Sequence, residues 1–356
     1  MAKWLRRAVA LVLLAGLAAG AFAWTLRGRA LTPFRGYTTD EQFVAVPSGA
    51  GPRSIGARLV AAGVVRDGLT FRVALWLTGR ARELKAGEYR FAGAATAVHV
   101  ADVLARGEIY TRPVTFREGL TIPEMADIYA SSGLGTRAAF IAAAGDASLI
   151  RDLDPAATDL EGYLFPDTYP VPRQIPATTL VAQMVRGFRA ALPPELMAKA
   201  AADGLTVRQV VTLAALVEKE TAQDAERPIV AAVYRNRHKI GMAMQADPTV
   251  IYALTRAGKY DGNLSRADLA FDSPYNTYRY GGLPPGPIAA PGRRALEAVV
   301  APAAVDYLYF VSRNDGTHVF AATLHEHNQN VFEWQVKFFR DRRARERGEP
   351  HGTGGR

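Results

Sequence analysis

Val210-Val-Thr-Leu-Ala-Ala-Leu-Val-Glu218-Lys-Glu-Thr221 is an almost unbroken apolar run that ends in two carboxylates. Thr206-Val-Arg-Gln209 stands directly before it and reads as a capping box: the hydroxyl accepts from a first-turn N–H and the Gln reaches back to the cap. A helix capped there and apolar on most sides belongs in a core, where ionisable groups rarely stand without a partner or a task. Glu218 lies three, four and seven residues beyond Ala215, Ala214 and Val211, so it projects from an apolar face. Glu220 stands in a similar relation to Val217, Leu216 and Leu213, and periodicity leaves both acids open. A carboxyl so placed is expected to be raised by desolvation, which suits a general acid near neutral pH. The bland alternative is a helix end whose acids turn to solvent or pair with Lys219, Arg208 or another base.

Around this stretch, 356 residues leave room for two domains plus accessory segments. A hydrophobic share of 49% with 22% charged residues is that of a mostly globular chain. The sequence has no cysteine, which excludes disulfides, thiolate metal sites, a Cys nucleophile and a lipid-modified Cys anchor. A net charge of +9 points to an acidic partner: nucleic acid, an anionic membrane surface or an anionic cell-wall polymer. Part of that charge is a C-terminal cluster of Lys337, Arg340, Arg342, Arg343, Arg345 and Arg347, the pattern of a solvated helix end.

The N-terminus carries Lys3, Arg6 and Arg7, then runs without a charge from Ala8 to Trp24 before Arg27 and Arg29. This reads as a membrane-spanning helix, with Trp24 suited to the interfacial belt. Ala21-Phe-Ala23 also resembles a small-residue cleavage site, so a removed signal peptide stays open. Either outcome places the remainder outside the cytoplasmic membrane. Beyond a linker there is an internal echo. Val44-Ala-Val46-Pro-Ser-Gly49 leads to Gly63, and Val114-Thr-Phe116-Arg-Glu-Gly119 leads to Gly133, at one constant offset. Each copy reads as a strand, a Gly turn and a helix, a unit suited to a binding module or to plain packing. Leu84 to Phe91 reads as a strand, and Ala97 to Gly107 as a helix.

Leu160-Glu161-Gly-Tyr163-Leu-Phe165-Pro166-Asp167-Thr-Tyr169 is dense in aromatics beside two acids, a composition that suits sugar faces or an aromatic core. Helices are expected over 137–144, 178–192, 229–239 and 293–300, and Gln245-Ala-Asp247-Pro248 opens another. Tyr275-Asn276-Thr-Tyr278 precedes a Gly/Pro-rich run, residues 281–292, which is neither helix nor central strand and is expected to wall a cleft. His325 and His327 form a weak metal signal, since no third ligand is recognisable. There is no GxSxG elbow, no P-loop and no HExxH, so general acid/base work on a polar bond is the chemistry these acids suggest.

Leu213-Ala-Ala-Leu-Val-Glu218-Lys-Glu-Thr221, Gln245-Ala-Asp247-Pro-Thr-Val250, Tyr275-Asn276-Thr-Tyr278 and Gly282-Leu-Pro-Pro-Gly286-Pro-Ile, in that order, resemble the endolytic murein transglycosylase (YceG-like) family from Val44 to about Phe332. The resemblance implies an α+β protein with an N-terminal transmembrane helix, a small LysM-like α/β subdomain and a mixed α/β catalytic domain. The expected division is 1–30 cytoplasmic tip and anchor, 31–43 linker, 44–112 LysM-like subdomain, 113–335 catalytic domain and 336–356 basic flexible tail. It further implies a single-pass inner-membrane enzyme that cuts nascent peptidoglycan strands between N-acetylmuramic acid and N-acetylglucosamine. By the same resemblance Glu218 is the catalytic acid/base, and Gln245, Asp247, Tyr275, Asn276 and Glu161 bind substrate. No metal or cofactor is implied. The implied partners are glycan strands, the membrane and peptidoglycan synthases, and nucleic acid is not among them. One departure is Ala246, where the family usually has Ser or Thr, so one hydroxyl contact is missing. The rival readings are a hydrolytic muramidase, with Asp247 or Glu161 holding the water, and a non-enzymatic wall-binding scaffold.

Overall fold

The computed structural model describes residues 2–346 and divides them into two compact units. Unit 1 holds everything up to Pro113 together with Pro170–Arg173, and unit 2 holds Val114–Tyr169 and the rest from Gln174.

Unit 1 opens with helix α1 (Ala2–Leu31), which from Arg6 onward is long and apolar enough to cross a membrane. Strand β1 (Gln42–Val46), helices α2 (Pro52–Ala61) and α3 (Gly68–Thr78), strand β2 (Gly87–Phe91) and helix α4 (Ala97–Arg106) follow. β1 and β2 pair antiparallel from Gln42 opposite Phe91 to Val46 opposite Gly87. Alternation then sends Val44, Val46, Tyr89 and Phe91 into one core with Ile55, Leu59, Phe71 and Leu104. Caps set the helix limits: Asp67 accepts from Thr70 N–H at the start of α3, Thr96 accepts from His99 N–H at the start of α4, and left-handed glycines (Gly79, Gly107) close both. Of residues 31–43, expected as a linker, Leu31 ends α1, Gln42 and Phe43 begin β1, and the stretch between runs along this unit: Phe34 pairs with Ala95, and the Tyr37 hydroxyl donates to the carbonyls of Phe91 and Gly93. The strand expected from Leu84 begins at Gly87, and α3 stands where no helix was expected.

The chain changes units within strand β3 (Arg112–Thr115) and again within strand β4 (Thr168–Val171). Unit 2 contains helices α5 (Ile122–Ser131) and α6 (Arg137–Ala144), then α7 (Ala177–Ala191), α8 (Pro194–Ala202), α9 (Val207–Glu220), α10 (Arg227–Lys239), α11 (Asp247–Arg256) and α12 (Arg293–Val300). A hairpin of β5 (Tyr309–Ser312) and β6 (His318–Ala321) precedes α13 (Leu324–Val331), a π-helical stretch and α14 (Phe338–Glu346). The basic segment expected as a flexible tail is therefore helical as far as Glu346, and its remainder lies outside the described residues.

Helix α9 is the axis of unit 2. Val210 to Val217 are all buried, and α8, α10, α11 and α12 pack around them. The expected capping box is present at Thr206 and Gln209. Arg208, on the first turn, donates to the Pro285 carbonyl at 2.8 Å and pairs with buried Asp154 at 3.1 Å. Tyr163 donates to the same Asp154 at 2.6 Å, so the aromatic stretch is largely core. Gly162 is needed where it stands: its φ is +82°, and a side chain would run into Pro287 and Val211.

Candidate active site

The Gly/Pro-rich run brings the site together. Gly119 N–H donates to the Ala290 carbonyl and Ala290 N–H donates to the Leu120 carbonyl, both at 2.8 Å, which ties the run to the turn after Glu118. The run then ends at Gly292, the cap residue of α12. Because α9 terminates beside this junction, four chain-distant segments meet at one carboxylate.

That carboxylate is Glu218, whose side chain is only 5% exposed. Arg227 Nη2 donates to its Oε1 at 3.0 Å, and Gly292 N–H donates to its Oε2 at 2.9 Å. Arg227 is itself buried at the first position of α10, where it also pairs with Asp224, and Asp224 pairs in turn with Arg294. The same Arg227 Nη2 lies 3.7 Å from Glu118, a half-exposed acid. Burial pushes the Glu118 carboxyl up, the charge of Glu218 adds to this, and Arg227 and Arg294 oppose it. Both acids line an open cavity of about 590 Å³, with Thr115, Phe116, Asp167 and Thr168 on its walls. Two carboxylates sharing one guanidinium beside a polar, solvent-reached cavity are equipped to hold and move a proton at a bound ligand.

Glu220, two residues on, is turned to a different environment. Tyr234 donates to it at 2.6 Å, and its carboxyl is raised by burial first, with the charge of Asp247 adding to that. The desolvated acid expected from the apolar pattern is found here, while Glu218 is met by two donors.

The other residues expected at the site do not line the Glu218 cavity. Glu161 is buried and accepts from Ile122 N–H at the start of α5 and from the Tyr252 hydroxyl; burial pushes its carboxyl up to about 8. Asn276 is fully buried and spends its amide on the carbonyls of Leu269 and Phe271. Tyr275 packs on Tyr252, and Arg256 lies over both rings. Asp247 accepts from the Tyr278 hydroxyl at 2.6 Å, and exposed Gln245 takes a left-handed φ of +46°. Ala246 donates its N–H to the Thr277 hydroxyl at 3.0 Å, so Thr277 supplies a hydroxyl contact to this segment. His327 stacks on Tyr309 and His325 faces Gln329; among the described residues no group of three metal-ligating side chains forms.

Glu118, Arg227 and Gly292 were not singled out from the sequence. Glu118 sits in the Arg-Glu-Gly turn of the second repeat copy, where the acid read as part of a turn. The one departure between the copies that bears on it is Pro-Ser-Gly49 against Arg-Glu-Gly119, which puts a carboxylate in the second copy alone.

A buried helix presenting one carboxylate to an open polar cavity, in an α+β chain with an N-terminal helix long and apolar enough to cross a membrane, defines a site equipped for acid/base chemistry. Sequence comparison identifies the group: the YceG-like family matches residues 44–333, and the chain belongs to it. An endolytic murein transglycosylase of Bacillus subtilis is 32% identical over 302 residues, 80% of this chain and 82% of that protein. One of Streptococcus pneumoniae is 30% identical over 356 residues, 91% of this chain and 64% of that protein. The crystal structure of a YceG-like protein from Listeria monocytogenes matches with a TM-score of 0.55 at 28% identity, covering 82% of this chain and 99% of that one.

Proposed function

We propose that this chain is an endolytic lytic transglycosylase that cuts the bond between N-acetylmuramic acid and N-acetylglucosamine within nascent peptidoglycan strands. The family membership and the names of its relatives support an enzyme acting on murein. The observation that carries the chemistry is Glu218 at the cavity, held on both oxygens by Arg227 and Gly292 with Glu118 alongside.

The reaction needs no water. A carboxylic acid gives its proton to the glycosidic oxygen as the C1–O bond breaks and positive charge grows at C1. The muramic C6 hydroxyl attacks C1, and the same carboxylate, now ionised, takes the hydroxyl proton as the 1,6-anhydro ring closes. Glu218 performs both transfers. Its two donors fix the carboxylate in the geometry of the base step, ring closure returns the proton to Glu218 ready for the next cut, and Glu118 stands beside it on the same Arg227. Gln245, Asp247 and Tyr275 orient sugar hydroxyls and the N-acetyl group, with Glu161 and Asn276 holding their segments. In this reading α1 is a single-pass inner-membrane anchor, the remainder is extracytoplasmic, and the β1-α2-α3-β2 order of unit 1 supports a LysM-like glycan-binding module. Synthases working on the same strands are the partners, and cutting terminates or trims elongation.

The second carboxylate also favours one rival: Glu118 could hold a water, as the base of a hydrolase does. Mass spectrometry of products from purified glycan strands decides between them. The wild type is expected to leave 1,6-anhydromuramic ends, and Glu218→Gln none. Reducing muramic ends from the wild type would establish the hydrolase, and anhydro ends from folded Glu218→Gln would remove Glu218 from the reaction.

A further inference from the structure

Helix α3 buries Thr70, Phe71, Ala74 and Leu75 in the core of unit 1. Its opposite face carries Leu69, Arg72, Val73 and Trp76, spaced by three, four and seven residues, so they form one stripe. Leu69 is 42% exposed and Trp76 is 80% exposed. A tryptophan left this open is uncommon on a face that meets only water.

The neighbour of this stripe says what covers it. α1 packs against α3 and α4, with Leu26 and Ala30 buried in the same unit. The two helices enclose an apolar groove of about 480 Å³, lined by Phe22, Trp24 and Leu26 from α1 and by Val73, Trp76 and Leu77 from α3. Trp24 and Trp76 therefore stand on the walls of one groove, at the level of Gly20 to Arg27 on α1. On α1 that level is the end of the uncharged stretch, with Arg27 next, which also lines the groove. A spanning helix places such a Trp-then-Arg boundary at the bilayer surface, with the indole among the upper acyl carbons and the guanidinium at the phosphates. Whatever depth this segment of α1 takes, Trp76 lies beside it. Arg72, exposed on the α3 stripe, has no ion-pair partner among the described residues, and neither has Arg27.

We propose that the outer face of α3 is a membrane-contact surface that embeds in the interface of the bilayer crossed by α1. Trp76, Leu69 and Val73 lie against the upper acyl chains, and Arg27 and Arg72 meet lipid phosphates. Unit 1 is thereby held down at two points, so it does not swing freely on its anchor. The proposal is independent of the reaction at Glu218 and rests on α1 crossing the membrane.

The test uses the full chain reconstituted in phosphatidylethanolamine–phosphatidylglycerol vesicles. One single-tryptophan variant keeps Trp76 (Trp4→Phe, Trp24→Phe, Trp334→Phe), and a second keeps Trp24 instead. Emission is compared in vesicles brominated near the headgroup end of the acyl chain, in vesicles brominated near its tip, and with aqueous iodide. The expected result is loss of both Trp24 and Trp76 emission, larger with the shallow bromines, and weak quenching by iodide. Trp24 quenched by lipid with Trp76 quenched only by iodide would overturn the proposal and leave the anchor standing. Trp76 shielded from both quenchers would overturn it in favour of a protein neighbour on the stripe. Neither indole quenched by lipid would remove the spanning helix and the proposal together.

Discussion

Glu161→Gln is expected to flatten the pH dependence of stability between pH 5 and pH 8. Glu161 is 6% exposed and its carboxyl is pushed from an ordinary 4.5 to about 8, chiefly by burial. The Ile122 N–H, the Tyr252 hydroxyl and Arg256 pull the other way without overcoming that desolvation. In this window the unfolded chain has released the proton that the folded chain still holds, so the unfolded state binds fewer protons. Stability contributed by Glu161 is then present at low pH and falls as pH rises towards about 8. Each tenfold change in proton affinity is worth about 1.4 kcal/mol. The whole displacement therefore amounts to roughly 5 kcal/mol, of which about 3 kcal/mol falls between pH 5 and pH 8. Gln keeps the shape and the acceptor for Ile122 N–H but does not ionise. Urea unfolding of the detergent-solubilised full chain, wild type against variant at both pH values, isolates this contribution as a double difference, because every other titrating group cancels. The variant should gain on the wild type at the higher pH. Equal pH slopes for the two proteins would refute a neutral, buried Glu161.

Glu118→Gln should lower turnover of glycan strands by about tenfold or more, since it removes the carboxylate that shares Arg227 with Glu218 and leaves that guanidinium to Glu218 alone; an unchanged thermal midpoint would show that the loss is chemical. Gly162→Ala should destabilise unit 2 by ~1–3 kcal/mol, because the left-handed backbone and the contact with Pro287 both oppose a methyl, and calorimetry reads the shift. Thr206→Ala removes one half of the α9 capping box and should lower the unfolding free energy by about 1 kcal/mol, measurable by urea titration.

Much of unit 2 was readable in the chain because local chemistry agrees with the fold there. The α9 run has its cap, its apolar faces and its terminal acids in one contiguous stretch, and Arg293–Val300 forms the helix its pattern predicts. The echo around Gly49 and Gly119 likewise emerges as a strand leading into a helix in both copies. The site itself was only half readable. Periodicity could not separate Glu218 from Glu220, because what separates them is the partner each meets: Arg227 and Gly292 for one, Tyr234 for the other. Arg227 and Tyr234 come from a helix with no local mark of function, and Gly292 from a run marked only as a cleft wall. Asn276 is the opposite case, since its place in a motif gives no sign that its amide donates to two backbone carbonyls.

Gly292 has a further consequence. Its N–H holds Glu218, and the space a side chain would occupy is filled by Glu118. One added methyl would displace an acid without deleting a charge, and it would touch neither the anchor nor unit 1. On the proposed reading, cells carrying Gly292→Ala in place of the native chain would therefore contain the whole protein with its Glu118–Glu218 pair disturbed. Growth defects that such cells share with cells lacking the chain would belong to the proposed reaction, and those they do not share would belong to the loss of the protein itself.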